Sequence, residues 1–285
     1  MQSDRPEIGI ICIRSVTQAE AGGMILRNKW LAYPGLAVKK VVAPLLHALA
    51  LRVPRSPEWV PGPLTYNQDG LATVHNCDFL RDPRFQEAYR LGEATGSWWD
   101  GQIHWRVYVV CWAAVMASRL EGDFVECGVN RGGYARAVMH YVDFPNLHKT
   151  FYLLDTFRGL DPKYVTDAER KLGVMDYPYD ECYEAVQKTF AGLPAVLVRG
   201  AIPETLPQVK TAKVGYLSID MNCAAPEIAA AEYFWDRLVP GAVMILDDYG
   251  WTIHRGQKTA FDRFARERGV MILSLPTGQG LIFKP

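Results

Sequence analysis

From residue 122 onward the chain alternates short apolar runs with stretches of helical spacing. Asp123 to Val129, Thr150 to Asp155, Ala195 to Arg199, Val214 to Asp220 and Gly241 to Asp247 predict five buried strands. Between them, Arg131 to Val142, Tyr179 to Phe190, Pro226 to Leu238 and Arg255 to Arg268 predict helices. In the second of these Cys182, Ala185, Val186 and Phe190 share one face. Pro226 suits a first helical turn and Gly269 a C-terminal cap. Strands alternating with helices form βαβ units and a mostly parallel sheet. The chain ends differently. Val270 to Leu275 and Leu281 to Lys284 are strands separated only by Pro276-Thr-Gly-Gln-Gly280. That link is too short for a parallel crossover, so the pair is expected to be an antiparallel hairpin.

Upstream, Ile103 to Leu120 predicts a buried helix, and residues 1 to 100 are irregular, with frequent Pro and Trp. The expected organisation is an N-terminal helical or irregular extension over 1–100, serving as lid or oligomer arm, and an α/β domain over 101–285. Residues 60 to 80 have loop composition suited to covering a site. Lys29, Lys39, Lys40, Arg52 and Arg55 flank the apolar stretch Val41 to Leu51, which is interrupted by Pro44. It is expected to pack against the rest of the chain or a second subunit, making a homo-oligomer.

Charge narrows the partners. Lys and Arg (31) balance Asp and Glu (31), which argues against a nucleic-acid partner. The longest uninterrupted apolar run, Val107 to Ala117, is shorter than the roughly 20 residues needed to span a bilayer, so no transmembrane segment is expected. Cys12, Cys77, Cys111, Cys127, Cys182 and Cys223 show neither a C-x-x-C nor zinc spacing. No cationic leader precedes an apolar stretch, so a cytoplasmic protein with reduced thiols is expected.

The chemistry gathers at the strand ends, where open parallel sheets bind ligands. Glu126, Asp155, Asp220, Asp247 and Asp248 all fall there. Crowded acids raise one another's pKa, so such a set implies a task. The first turn, Glu126-Cys-Gly128-Val-Asn130-Arg-Gly132-Gly133, is glycine-rich but lacks G-x-G-x-x-G. An acid beside it repels a pyrophosphate and suits a cationic group, such as the ammonium and sulfonium of S-adenosylmethionine. Asp155 at the next strand end can accept ribose hydroxyls. Asp220, Asp247 and Asp248, with no His or Cys ligand among them, favour a hard cation such as Mg²⁺.

The ordered set Gly122-Asp-Phe-Val-Glu-Cys-Gly-Val-Asn-Arg-Gly-Gly133, Leu154-Asp-Thr-Phe-Arg-Gly-Leu160, Ser218-Ile-Asp220 and Pro240-Gly-Ala-Val-Met-Ile-Leu-Asp-Asp-Tyr249 resembles the macrocin O-methyltransferase (TylF/MycF-like) family. The resemblance covers about residues 90 to 285. It implies a class I methyltransferase, Rossmann-like, using S-adenosylmethionine and Mg²⁺ to methylate a hydroxyl of a sugar, glycan or natural product. By position it implies that Glu126, Gly128, Asn130 and Gly133 line the methionine part of the cofactor. Asp155 and Thr156 would hold the ribose, Arg199 and Gly200 the adenine side, with Asp220 adjoining. Asp220, Asp247 and Asp248 would be metal ligands, and Asp220, His254 or His104 the base, with His254 preferred. Tyr249 and Trp251 are candidates for the acceptor pocket.

One run departs from the family. An aromatic and then an acid usually follow the fourth-strand Asp, whereas here the run is Asp220-Met-Asn222-Cys-Ala-Ala-Pro-Glu227. This keeps a metal-independent enzyme on a phenolic acceptor open. A nucleotide-sugar oxidoreductase or epimerase and a non-catalytic scaffold are the other readings. The missing dinucleotide fingerprint and the terminal hairpin argue against the oxidoreductase, and the intact acids against the scaffold.

Overall fold

The computed structural model describes residues 63–98, 100–175 and 180–285. The basic-flanked stretch Val41 to Leu51 lies outside the described residues, as do Cys12 and the first residues of the expected 60–80 cover. The strands are β1 (Tyr66–Gln68), β2 (Leu71–Thr73), β3 (Asp123–Cys127), β4 (Phe151–Asp155), β5 (Ala195–Arg199), β6 (Val214–Ile219), β7 (Leu238–Leu246), β8 (Leu273–Ser274) and β9 (Gly280–Phe283). The helices are α1 (Pro83–Glu93), α2 (His104–Ser118), α3 (Gly133–Tyr141), α4 (Asp167–Lys171), α5 (Tyr183–Thr189), α6 (Ala224–Trp235) and α7 (Arg255–Arg268).

Seven strands form one sheet in the order β5-β4-β3-β6-β7-β9-β8. The first five are parallel, and β9 runs antiparallel to both β7 and β8. All five expected parallel strands and the terminal hairpin are present. Boundaries shift at the ends. The helix expected from Pro226 begins at Ala224 and stops at Trp235, because Leu238 already pairs with Val214 in the sheet. The helix expected from Tyr179 is described from Tyr183.

Alternate residues of each strand serve the two faces. Phe124, Tyr216, Val243 and Ile245 join α1, α2, α3 and α5 in one core. Val125, Cys127, Leu217, Ile219, Met244 and Leu246 join α6 and α7 in the other. Phe124 stacks on Tyr216 at 4.8 Å between centroids, locking the two central strands through their aromatic faces. Helix α2 is apolar nearly all round, and six of its residues are buried.

The described residues fall within one compact unit. Residues 63–98 are more regular than expected. The turn Asp69-Gly70 closes the β1–β2 hairpin, and Asp82 caps α1 by accepting from the Arg84 amide at 2.9 Å, with Pro83 at the first turn. Both are sequence-visible signals within the segment read as irregular. The five described cysteines are free and buried. Among the described residues no helix is long and apolar enough to cross a membrane.

Gly128 pins the architecture to the site. Its φ is +89°, and a Cβ there would overlap the carbonyl of Asp220 on the neighbouring strand. Gly128→Ala is expected to lower stability by about 3 kcal/mol or more, read from denaturant melts. A loss below about 1 kcal/mol would show that the β3 and β6 ends separate freely.

Candidate active site

The sheet's parallel ladders carry the acids to one edge. Asp220 N donates to Cys127 O at 2.8 Å, and Asp247 N donates to Ile219 O at 3.0 Å. The ladder therefore runs one step past the strand ends and sets Asp220 and Asp247 side by side. Above this edge lies a cavity of about 570 Å³. Of the expected residues, Glu126, Gly128, Asn130, Gly133, Asp155, Thr156, Gly200, Asp220, Asp247, Asp248 and His254 line it.

The glycine turn follows Glu126, which is 1% exposed and lines the cavity. Its Oε2 is buried without a hydrogen-bond partner, as is Asn130 Oδ1. Burial, helped by Asp155 and Asp247, pushes the Glu126 carboxyl well above the ordinary range. A cationic ligand group would relieve both the missing partner and the raised pKa. Gly133 lets Trp98 approach, since a Cβ there would lie 2.7 Å from the indole nitrogen. Gly133 N donates to Ser97 Oγ at 2.9 Å, so residues 97 and 98 belong to this wall.

Asp155 has a task that its place at a strand end does not announce. Its Oδ2 accepts from the amides of Val129 (2.6 Å) and Asn130 (2.7 Å), and its Oδ1 from Phe157 N (2.6 Å) and Thr156 Oγ1 (3.3 Å). The carboxylate thereby knits the glycine turn to the end of β4. The single Thr156 hydroxyl proton goes chiefly to Gly159 O, at 2.5 Å.

In the same cavity Asp220, Asp247 and Asp248 each bring a carboxylate oxygen within 4.8 Å of the others. Asp247 is 1% exposed and heavily engaged. Its Oδ2 accepts from Arg106 Nη1 at 2.8 Å, and its Oδ1 accepts from Tyr134 OH and Gln279 Nε2, both at 2.9 Å. Asp220 accepts from Asn222 Nδ2 at 3.2 Å. Burial, then Asp247 and Asp248, hold its carboxyl well above the usual range. Asp248 is pushed up to about 7 by burial and by Asp247, and its Oδ2 has no hydrogen-bond partner. His254 Nε2 stands 3.6 Å from that oxygen, beyond a good hydrogen bond. Burial lowers the His254 pKa, so the imidazole is neutral at neutral pH.

Four expected residues fall elsewhere. His104 does not line this cavity. It stacks on Tyr89 at 4.0 Å and borders a separate hollow with Tyr66 and Gln102. Two helix positions apart means about 200° of rotation, so it is Arg106, not His104, that faces the acids. Arg199 is exposed, donates to Glu181 at 2.6 Å and lies over the Tyr183 ring, while Gly200, Ala201 and Ile202 line the cavity in its place. Tyr249 donates to Asp262 at 2.6 Å and is not a wall residue. Trp251 is not one either, its indole lying beside Arg106 and Gly70 instead.

Arg106, Tyr134, Gln279, Asp69 and Glu227 join the site without being expected there. Glu227 is buried beside the cluster and accepts from Met221 N (3.0 Å) and Gln257 Nε2 (2.5 Å). An acid in the first turn of a helix is its sequence signal.

A seven-stranded sheet of this order with a ligand cavity at its carboxyl edge is that of a class I methyltransferase. The model of the macrocin-O-methyltransferase (TylF) family matches residues 101–273, and the chain belongs to that family. It is 29% identical over 153 residues to the 8-demethyl-8-(2,3-dimethoxy-alpha-L-rhamnosyl)-tetracenomycin-C 4'-O-methyltransferase of Streptomyces olivaceus, covering 49% of this chain and 57% of that one. It is 27% identical over 157 residues to the mycinamicin III 3''-O-methyltransferase of Micromonospora griseorubida, covering 49% and 59%. The chain thus spans less than two thirds of the length of these curated relatives. Among solved structures, the O-methyltransferase NovP matches with a TM-score of 0.55 at 18% identity, over 63% of this chain and 79% of that one. The calicheamicin methyltransferase CalS11 matches at 0.51 and 16%, over 74% and 94%. At these identities the two structures speak for the fold.

Glu227 makes stability depend on pH. Its carboxyl ionises at about 8 in the folded chain, chiefly because it is buried and then because Asp248 is near, against 4.5 for the ordinary group. A raised acid pKa means that the unfolded chain loses its proton first. The contribution is full below about 4.5 and is lost as the pH rises toward about 8. In chelator, Glu227→Gln is expected to melt about 5 °C above wild type at pH ~8.5 and level with it at pH ~4.5. Parallel melting curves at both pH values would show that Glu227 is not held protonated.

Proposed function

We propose that the chain is an S-adenosylmethionine-dependent O-methyltransferase acting on a hydroxyl of a sugar, glycan or related natural product, assisted by a divalent cation. The observation that carries the reading is one cavity lined by two differently prepared sets of groups. One set is the unpartnered Glu126 carboxyl by the glycine turn, and the other is the acidic cluster with neutral His254.

S-adenosylmethionine, when bound, supplies an electrophilic methyl group. Glu126 and the Asn130 side-chain carbonyl would meet its ammonium. Gly128 and Gly133 leave room for the backbone to approach it. Thr156 and Asp155 adjoin the ribose position, where Asp155 accepts a ribose hydroxyl only by releasing one of its present donors. Gly200 and Ile202 would border the adenine. The acids fit a divalent cation, since Asp220, Asp247 and Asp248 each offer a carboxylate oxygen within 4.8 Å of the others while Arg106 offsets only one charge. A cation there would supply Lewis acidity to the acceptor oxygen. His254, neutral and at the cavity wall, would take the acceptor proton, with Asp248 beside it to stabilise the imidazolium. The enclosure orients the hydroxyl against the methyl, and orientation is a large part of what such transfer needs. The free, buried thiols suit a reducing compartment such as the cytoplasm.

The nucleotide-sugar oxidoreductase reading is disfavoured by Glu126, whose buried carboxyl faces the place a pyrophosphate would need.

Calorimetric titration with S-adenosylhomocysteine is expected to give micromolar binding, with none for NAD. No binding of the homocysteine compound would end the methyltransferase reading. Once an acceptor is in hand, His254→Ala is expected to lower kcat by about 10²-fold or more with S-adenosylhomocysteine affinity kept. Full activity in that variant would remove His254 as the base. Asp247→Asn is expected to reduce methyl transfer by orders of magnitude. Equal activity of the wild type with and without chelator would remove the cation.

A further inference from the structure

The hairpin β1–β2 reaches the acidic cluster through a single side chain. Its tip is Asp69-Gly70, with φ of 52° and 73°, and Gln68 pairs with Leu71 just behind it. Arg106 grips the tip as a fork. Nε donates to Asp69 Oδ2 at 2.8 Å and Nη2 to Asp69 Oδ1 at 3.0 Å. The third nitrogen, Nη1, donates to Asp247 Oδ2 at 2.8 Å. The guanidinium lies 5.7 Å from the Trp251 ring, and Gly70 faces the same indole. The base of the hairpin is held separately, by Tyr66 OH donating to Gln102 O at 2.9 Å. Asp69 and Arg106 both line the cavity.

We propose that Arg106 is a positioning residue with two tasks: it clasps the hairpin tip beside the acidic cluster, and it stands as a fixed positive charge beside Asp247 that weakens the cluster's hold on a further cation. The meaning of the cluster rests on the methyltransferase reading above, while the clasp itself does not.

The geometry separates the two tasks. Asp247 Oδ1 is filled by Tyr134 and Gln279, so Oδ2 is the oxygen that Arg106 and a bound cation would share. A guanidinium does not lose its proton, so its repulsion of a second cation is permanent. Removing the charge frees Oδ2 and removes that repulsion. Removing the fork unhooks the tip. The first change strengthens cation binding while the second loosens the hairpin, a pair of opposite effects that general loss of structure would not produce.

The test compares full-length wild type with Asp69→Asn, Arg106→Lys and Arg106→Gln. Hydrogen exchange is read on a peptide covering residues 66–73, Mn²⁺ binding by electron paramagnetic resonance, and S-adenosylhomocysteine binding by calorimetry. Hairpin exchange is expected to rise about tenfold or more in all three variants, because each loses the fork to Asp69. Mn²⁺ affinity is expected to rise about tenfold in Arg106→Gln and to stay within about threefold in Arg106→Lys, which keeps the charge. Unchanged hairpin exchange in Asp69→Asn and Arg106→Lys overturns the clasp, and these two variants decide it if Arg106→Gln does not fold. Unchanged or weaker Mn²⁺ binding in a folded Arg106→Gln, or a rise in Arg106→Lys to match it, overturns the charge role. A wild type that binds no S-adenosylhomocysteine defeats the functional reading and leaves the exchange experiment to decide the clasp.

Discussion

The constraint that organises this molecule is the crowding of carboxylates at one edge of a sheet, in a setting too dry to solvate them. Asp220, Asp247 and Asp248 converge there, with buried Glu227 near Asp248 and buried Glu126 near Asp247. Buried like charges are tolerated only when protonated, paired or hydrogen-bonded. The chain uses all three remedies. Asp247 takes an arginine, a tyrosine hydroxyl and a glutamine amide. Glu227 takes a backbone amide and Gln257 and keeps its proton. Asp220 and Asp248 hold their protons more tightly than ordinary acids.

What is left unsatisfied then becomes informative. Buried polar atoms without partners are uncommon because each costs free energy. Here Glu126 Oε2, Asn130 Oδ1, Asp248 Oδ2 and His254 Nδ1 are such atoms, and all four residues line the same cavity. The first two belong to the glycine turn and its strand, and the last two to the acidic cluster and its neighbouring histidine. Asp155 marks the boundary between use and support. It faces the cavity, yet its oxygens are occupied in holding the glycine turn.

Much of this is legible in the sequence because strands announce themselves by contiguous apolar residues, and the acid that ends each run needs no tertiary information to be noticed. Adjacent parallel strands bring their ends together, so Asp220, Asp247 and Asp248 group from strand order alone, and the ladder bears that grouping out. The groups that partner those acids are not legible. Arg106 is 141 positions from Asp247 and Tyr134 is 113, and neither lies in a run that marks it. Residue type alone favours His104 over Arg106, because histidine is the commoner base, although helical rotation places only one of them toward the site. Arg199 escapes for a related reason, since the end of an edge strand leaves a long side chain free to reach Glu181 and Tyr183 outside the cavity.

The run Asp220-Met-Asn222-Cys-Ala-Ala-Pro-Glu227 shows how a departure from the family's pattern can be absorbed without dismantling the site. Asn222, at φ 56°, turns the chain away from the strand and sends its amide back to Asp220. The next acid comes at Glu227, inside the first turns of α6, where the free amides of a helix start favour a carboxyl. From there it accepts the Met221 amide and fixes the loop from the inside. Glu169 fixes the same loop from the other side, since its Oε1 accepts from Ala224 N at 2.8 Å while its Oε2 closes the capping box of α4 with Thr166. The loop after β6 is therefore held between two buried acids rather than by an aromatic and an acid in sequence. Asp220 keeps its place at the edge of the sheet, and Met221, Asn222 and Cys223 take their places in the wall of the cavity beside it.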